Sequence, residues 1–155
     1  MRIRQAIAGD AEPASLILRR SITELCTLDH ENDPALLASW LANKTPEKFR
    51  DWVRSADDIC FVAIAEDNAI LGVGLLSKAG EIKLNYVSPD NRFRGVSSAL
   101  IEAMEAEAQG LGVTRITLNS TATAHRFYQA GGYKDEGKPQ TGRLKVATYP
   151  MSKRV

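Results

Sequence analysis

Arg92, Arg94, Gly95, Ser97 and Ser98 fall within seven consecutive residues, and their types suit the capture of a phosphate. The stretch that carries them leaves a β-like run at Ser88-Pro89, crosses a basic loop and enters a helix through small residues. A helix mouth leaves its first N–H groups without intrahelical acceptors and carries the positive end of the helix dipole, so an anion placed there is stabilised twice. Arg92 and Arg94 add charge, and Gly95 and Ser97 let a ligand approach the backbone. Acidic side chains, usual in a first helical turn, are held back to Glu102 and Glu105. A second polar pair, Asp29 and His30, sets an imidazole beside a carboxylate and could bind an amine or take its proton. The structural alternative for that pair is a loop that caps the next helix.

The elements that must hold these residues can be read from periodicity. The chain has 155 residues, 44% hydrophobic and 25% charged, enough for one domain spanning 1–155 with a substantial core. A net charge of +1 argues against a protein built to grip nucleic acid. Cys26 and Cys60 form neither a disulfide framework nor a metal-ligand spacing, so no metal is expected. No signal-like apolar run opens the sequence and no segment has membrane-spanning length, so the expectation is a cytoplasmic protein with reduced thiols and no membrane partner. Helical spacing predicts helices over 11–28, around Leu36 to Leu41, over 46–54 behind a Thr45 cap, over 95–109 and over 121–130. Strands are predicted over 2–7, 59–65, 70–77, from Glu81, and over 113–118, 133–136 and 144–151. Those last strands leave an edge that could support a homodimer.

This element order, together with Arg92, Gly95 and Ser97 at the positions of a "Gln or Arg, two residues, Gly, one residue, Gly or Ala" signature, resembles the GCN5-related N-acetyltransferase superfamily. Ser97 departs mildly from that signature and is still small. Downstream, Ala124-His125-Arg126-Phe127-Tyr128-Gln129-Ala130-Gly131-Gly132-Tyr133 is similar to the family's alanine–tyrosine–glycine–aromatic segment. Thr121 stands where the family often has asparagine. The resemblance implies an α/β fold with a mixed, mostly antiparallel central sheet, splayed central strands and helices on both faces. It implies acetyl-CoA as donor and CoA as product. The amides of Phe93, Arg94, Gly95, Val96, Ser97 and Ser98, with Arg92, would hold the pyrophosphate. Main-chain groups of Tyr86, Val87 and Asn119, with Thr121, would meet the pantetheine.

Within that resemblance, an amine attacking a thioester needs a free lone pair, a polarised carbonyl and a stabilised leaving sulfur. Glu81 lies at the family spacing from Arg92 and Gly95 for a catalytic base, and its bland alternative is a solvated residue beside the Ala79-Gly80 turn. Tyr128 is placed to donate a hydrogen bond to the sulfur, and its alternative is simple packing with Ala124 and Phe127. The Val87 amide could polarise the acetyl carbonyl. Asp29, His30 and Asn85 are the acceptor-binding candidates, while Trp40 and Trp52 read more naturally as core anchors. The expected function is transfer of an acetyl group to a primary amine, on a small molecule or a protein, by direct attack in a ternary complex. A CoA-binding sensor without catalysis would keep loop 92–98 and have no need of Glu81 or Tyr128. A nucleotide-phosphate site of P-loop type lacks its glycine-and-lysine pattern.

Overall fold

β-Branched and aromatic runs assemble one sheet, and amphipathic helices cover its two faces. The computed structural model describes residues 1–142 and 145–155. The strands are β1 (Arg2–Gln5), β2 (Asp58–Ile64), β3 (Ile70–Ser77), β4 (Glu81–Val87), β5 (Arg115–Ser120), β6 (Lys134–Asp135), β7 (Gln140–Thr141) and β8 (Ala147–Arg154). The helices are α1 (Ala11–Leu25), α2 (Thr27–His30), α3 (Pro34–Leu41), α4 (Pro46–Arg54), α5 (Val96–Gly110) and α6 (His125–Ala130). The spatial order is β1-β2-β3-β4-β5-β8-β6, with β7 paired to β8 off this path. Every pairing is antiparallel except β4 with β5. The mixed, mostly antiparallel sheet expected from the sequence is the sheet observed.

Alternate residues of the strands feed opposite cores. Phe61, Leu76, Ile82, Ile116 and Met151 pack with Leu100 and Met104 of α5 on one face. Val62, Val73, Leu75 and Leu84 pack with Leu18 of α1 and Phe49 of α4 on the other. Each fully buried side chain of this size stabilises the fold by about 1.5–3 kcal/mol relative to exposure. Helix α5 can lie flat on the sheet because β3 presents no side chain beneath its first turns. A Cβ added at Gly72 would sit 2.8 Å from Val96 Cγ1 and 3.0 Å from the Tyr86 carbonyl oxygen, and one at Gly74 would sit 3.0 Å from Met104 Cε.

Several boundaries differ from the periodicity reading, each with a local cause. The first helix stops at Leu25, and α2 adds one further turn that ends where Glu31 adopts φ 52°. The segment 121–124 is a turn, because Thr121 Oγ1 accepts the Ala124 N–H at 3.1 Å, and the regular helix begins only at His125. The fifth strand runs Arg115–Ser120, two residues later than expected at each end. Toward the C-terminus, β6 is only Lys134–Asp135, β7 was not anticipated, and β8 extends to Arg154. Leu144, the expected start of the last strand, lies outside the described residues. The α4 cap is as expected, with Thr45 Oγ1 accepting the Lys48 N–H at 3.1 Å behind Pro46. Among the described residues no helix is long and apolar enough to cross a membrane.

Candidate active site

The sheet opens between β4 and β5. These parallel strands pair only where Glu81 meets Thr117 and Ile82 meets Leu118, after which they separate. On its other side β4 stays paired with β3, and the Ser88 N–H continues that ladder to the Leu71 carbonyl at 2.8 Å. An antiparallel ladder alternates direction residue by residue. Tyr86 therefore spends its main-chain groups on Val73, while those of Asn85 and Val87 face the gap. On the opposite wall the Thr117 N–H bonds the Gly80 carbonyl at 3.0 Å, so by the same alternation Asn119 also turns its main chain into the gap. Val87 and Asn119, expected to meet a pantetheine, thus have main-chain groups open to the gap. The main chain of Tyr86 is turned toward β3, and that of Asn85, one residue earlier, faces the gap.

A cleft of about 420 Å³ runs from this gap to the mouth of α5. Its floor is Asn85, Tyr86 and Val87, one wall is Thr121, Phe127 and Tyr128, and another is Ser21 and Leu25 of α1 with Cys26 just beyond its end. Arg92, Phe93, Gly95, Val96, Ser97 and Ser98 close the end at the helix mouth. There Gly95 takes φ 79°, no side chain caps α5, and its first turn holds no acid. Phe93 also adopts a left-handed φ of 64°, costly for an aromatic residue, and stands 89% exposed with the Arg92 guanidinium 4.5 Å from its ring centroid. Arg94 is exposed and lies outside the cleft lining.

Where the cleft meets the gap, Tyr128 and Asn85 share both this cleft and a smaller cavity of about 50 Å³ between the strands. Burial pushes the Tyr128 phenol up to about 12, and the Asn85 side chain beside it works in the opposite direction. The Tyr86 phenol is also pushed well above its ordinary range by burial, reinforced by Cys26 and opposed by Trp40. Asn85 Oδ1 is buried and has no hydrogen-bond partner among the described residues. An orphaned buried carbonyl of this kind costs about 1–3 kcal/mol, which a donor on a ligand would recover.

The two acidic-loop candidates have other work. His30 is fully buried. Its Nδ1 accepts the Asn32 N–H at 3.0 Å, which makes Nε2 the donor to the Ile22 carbonyl at 2.9 Å. Both ring nitrogens are therefore engaged, Trp40 packs edge-on at 6.1 Å, and His30 is a core residue. Asp29 accepts the Ala122 N–H at 2.6 Å, the Thr123 N–H at 3.2 Å and the Thr123 hydroxyl at 2.5 Å, so its carboxylate is occupied by backbone and hydroxyl donors. Glu81 lines neither cavity, and its own N–H bonds Ser77 Oγ at 3.0 Å. It sits at the closed end of the gap, four residues or roughly 13 Å along the strand from Asn85. Asn119 lines only the smaller cavity, and Thr121 lines both. Sequence reasoning missed Ser21, Leu25 and Cys26 as cleft residues because a helical apolar stripe looks the same whether it faces a core or a cavity.

Comparison with known proteins agrees with this architecture. Residues 29–155 match the family model described as an acetyltransferase (GNAT) domain. An amino-acid acetyltransferase from Azotobacter vinelandii is 34% identical over 94 residues, which is 57% of this chain and 22% of that protein. The chain thus spans about a fifth of the length of that relative. A GCN5-related N-acetyltransferase structure titled "Aminotransferase, Class-II" from Rhodopseudomonas palustris superposes with TM-score 0.86 at 24% identity, covering 99% of this chain and 95% of that one. The PaiA N-acetyltransferase of Thermoplasma acidophilum, solved in complex with coenzyme A, gives TM-score 0.84 at 18% identity over 99% of this chain and 98% of that chain. These structural likenesses concern the fold, and the family match concerns lineage. On that match the chain belongs to the family of GNAT acetyltransferase domains.

Proposed function

We propose that the protein transfers the acetyl group of acetyl-CoA directly to a primary amine. The observation that carries this reading is the continuous cleft from the uncapped mouth of α5 to the opened strand edge, with Asn85 and Tyr128 at the junction. The residues fit the donor. Loop 92–98 offers Arg92 and first-turn amides to a pyrophosphate, and the gap offers main-chain groups of Asn85, Val87 and Asn119 to a pantetheine chain. The orphaned Asn85 Oδ1 adds an acceptor for an amide or amine N–H. When bound, acetyl-CoA supplies an activated thioester carbonyl; a neutral amine forms the C–N bond as the C–S bond breaks, and the amine's proton ends on the released thiol. The Val87 N–H faces the gap and is the candidate to polarise the carbonyl oxygen. Tyr128, kept protonated by burial, is the candidate to hydrogen-bond the departing sulfur.

The acceptor pool to test spans free amino acids, in view of the relative's name, as well as polyamines and peptide amines. Release of free thiol from acetyl-CoA, followed across that pool, tests the reading. Amine-dependent turnover that falls about 10- to 100-fold in Tyr128→Phe is expected, the size of a lost hydrogen bond to a charged group. Tight CoA binding without amine-dependent thiol release would replace the enzyme reading by that of a CoA-binding sensor.

A further inference from the structure

We propose that Asp29 is a positioning residue for this reaction, tying α2 to turn 121–124 and through that turn setting where α6 presents Tyr128. The inference rests on the role given to Tyr128 above. Beyond Glu81 and Ile82, β4 and β5 are no longer paired, so the sheet itself does not hold the end of β5 at a set distance from β4. Helix α6 has six residues and no side-chain cap, too short to be stable unaided. Its own residues His125 and Gln129 reach Asp135, and the turn that leads into it is held by a carboxylate 93 residues earlier in sequence, which gathers two amides and one hydroxyl of Ala122 and Thr123. Charge-assisted bonds of this kind are about twice as strong as neutral ones. The register then passes inward by short steps. The Ala124 N–H bonds Thr121 Oγ1 at 3.1 Å, and the Tyr128 N–H bonds the Ala124 carbonyl at 3.1 Å. On the β4 side the same helical unit is tied to Asp90, just ahead of loop 92–98, by Arg20 at 2.9 and 3.2 Å. The α1–α2 unit therefore spans the cleft and holds both walls. Of its two ties, the Asp29 tie is the less exposed to solvent.

The test compares the parent, Asp29→Asn, Tyr128→Phe and the double variant Asp29→Asn/Tyr128→Phe. It uses steady-state acetyl transfer together with amide hydrogen exchange of each protein without ligand. Asparagine keeps the size of Asp29 but replaces one of its two acceptor oxygens by an NH2, so either the Ala122 N–H or the Thr123 N–H loses its acceptor. Expected is a fall of about 10- to 100-fold in kcat for Asp29→Asn, the cost of misplacing a group by about 1 Å. The KM values for acetyl-CoA and amine should stay within about threefold, and exchange over 122–128 should be faster. Because Asp29 acts through Tyr128, the double variant should be no more than about threefold slower than Tyr128→Phe alone. Full activity in Asp29→Asn, multiplicative losses in the double variant, or a rise confined to the amine KM would each overturn the proposal, the last by making Asp29 an acceptor ligand. Should the parent show no amine-dependent turnover, the acetyltransfer reading fails on its own. Exchange over 122–128 then still decides the clamp, and unchanged protection in Asp29→Asn rejects it. Tyr128→Phe with parental activity would overturn the positioning role together with the role of the tyrosine.

Discussion

Burial sets the Tyr128 phenol at about 12, against about 8.5 for an ordinary thiol, and that ordering limits what the residue can do for a departing sulfur. Giving up its proton outright would run uphill by several kcal/mol, so in the proposed transfer the phenol would stabilise the sulfur by hydrogen bonding and keep its proton. A group whose pKa is raised this far stays in one state from pH 6 to pH 10. In the proposed transfer the acceptor amine must lose its proton before it attacks, so kcat/KM for the amine is expected to climb with pH across that window. Measured over pH 6–10, a downturn near pH 8–9 would show that some other group supplies an essential proton. Glu81→Gln is expected to lower kcat by less than about 10-fold, below the usual contribution of a general base, since Glu81 lines neither cavity. The cleft thiol is also quiet: burial pushes Cys26 up to about 12, with Asp29 adding to the rise and Arg92 opposing it. At pH 8 its thiolate fraction is on the order of 10⁻⁴, too small for nucleophilic work.

Among the elements, the contact of α5 with β3 sets where the helix mouth lies. Gly72→Ala would drive a methyl group against Val96 and the Tyr86 carbonyl, the first a residue of the mouth and the second part of the cleft floor. Overpacking of this kind costs about 1–3 kcal/mol. The variant is expected to lose that much stability in urea titrations and to bind CoA more weakly by calorimetry. Unchanged affinity would mean that β3 does not position the loop. The sequence made loop 92–98 legible because glycine, small residues and delayed acids follow from local backbone physics. It also made Tyr128 legible, through its offset from Gly131 and Gly132. It left Gly72 and Gly74 unread, because glycine in a strand signals close approach without naming the approaching partner. Asp29 and His30 were read as a polar pair open to an acceptor. Their partners, Ala122, Thr123 and Ile22, lie too far away in sequence, or too deep inside the fold, for spacing to reveal them. For Glu81, which lies where β4 and β5 are still paired, spacing along one strand says nothing of which end of the gap is open.

The molecule as a whole also carries a charge that its fold holds at a cost. Lys44 is 6% exposed between α3 and α4, and its ammonium bonds Asn43 Oδ1 and the Trp40 carbonyl, with no carboxylate partner among the described residues. Burial alone lowers its pKa from 10.5 to about 8. In the folded protein Lys44 therefore releases its proton near pH 8, while in the unfolded chain it holds it to about 10.5. Between those values the unfolded state binds more protons, and linkage requires that this residue's contribution to stability rise with pH. Below about pH 8 both states are protonated and the full penalty of the buried charge is present. Lys44→Met keeps the length of the side chain and removes the charge. It is expected to be more stable than the parent at pH 7, with an advantage that narrows from pH 8 to pH 10. Urea titrations of both proteins across that range check it. A difference that stays constant with pH would show that the gain comes from packing and that the Lys44 proton takes no part.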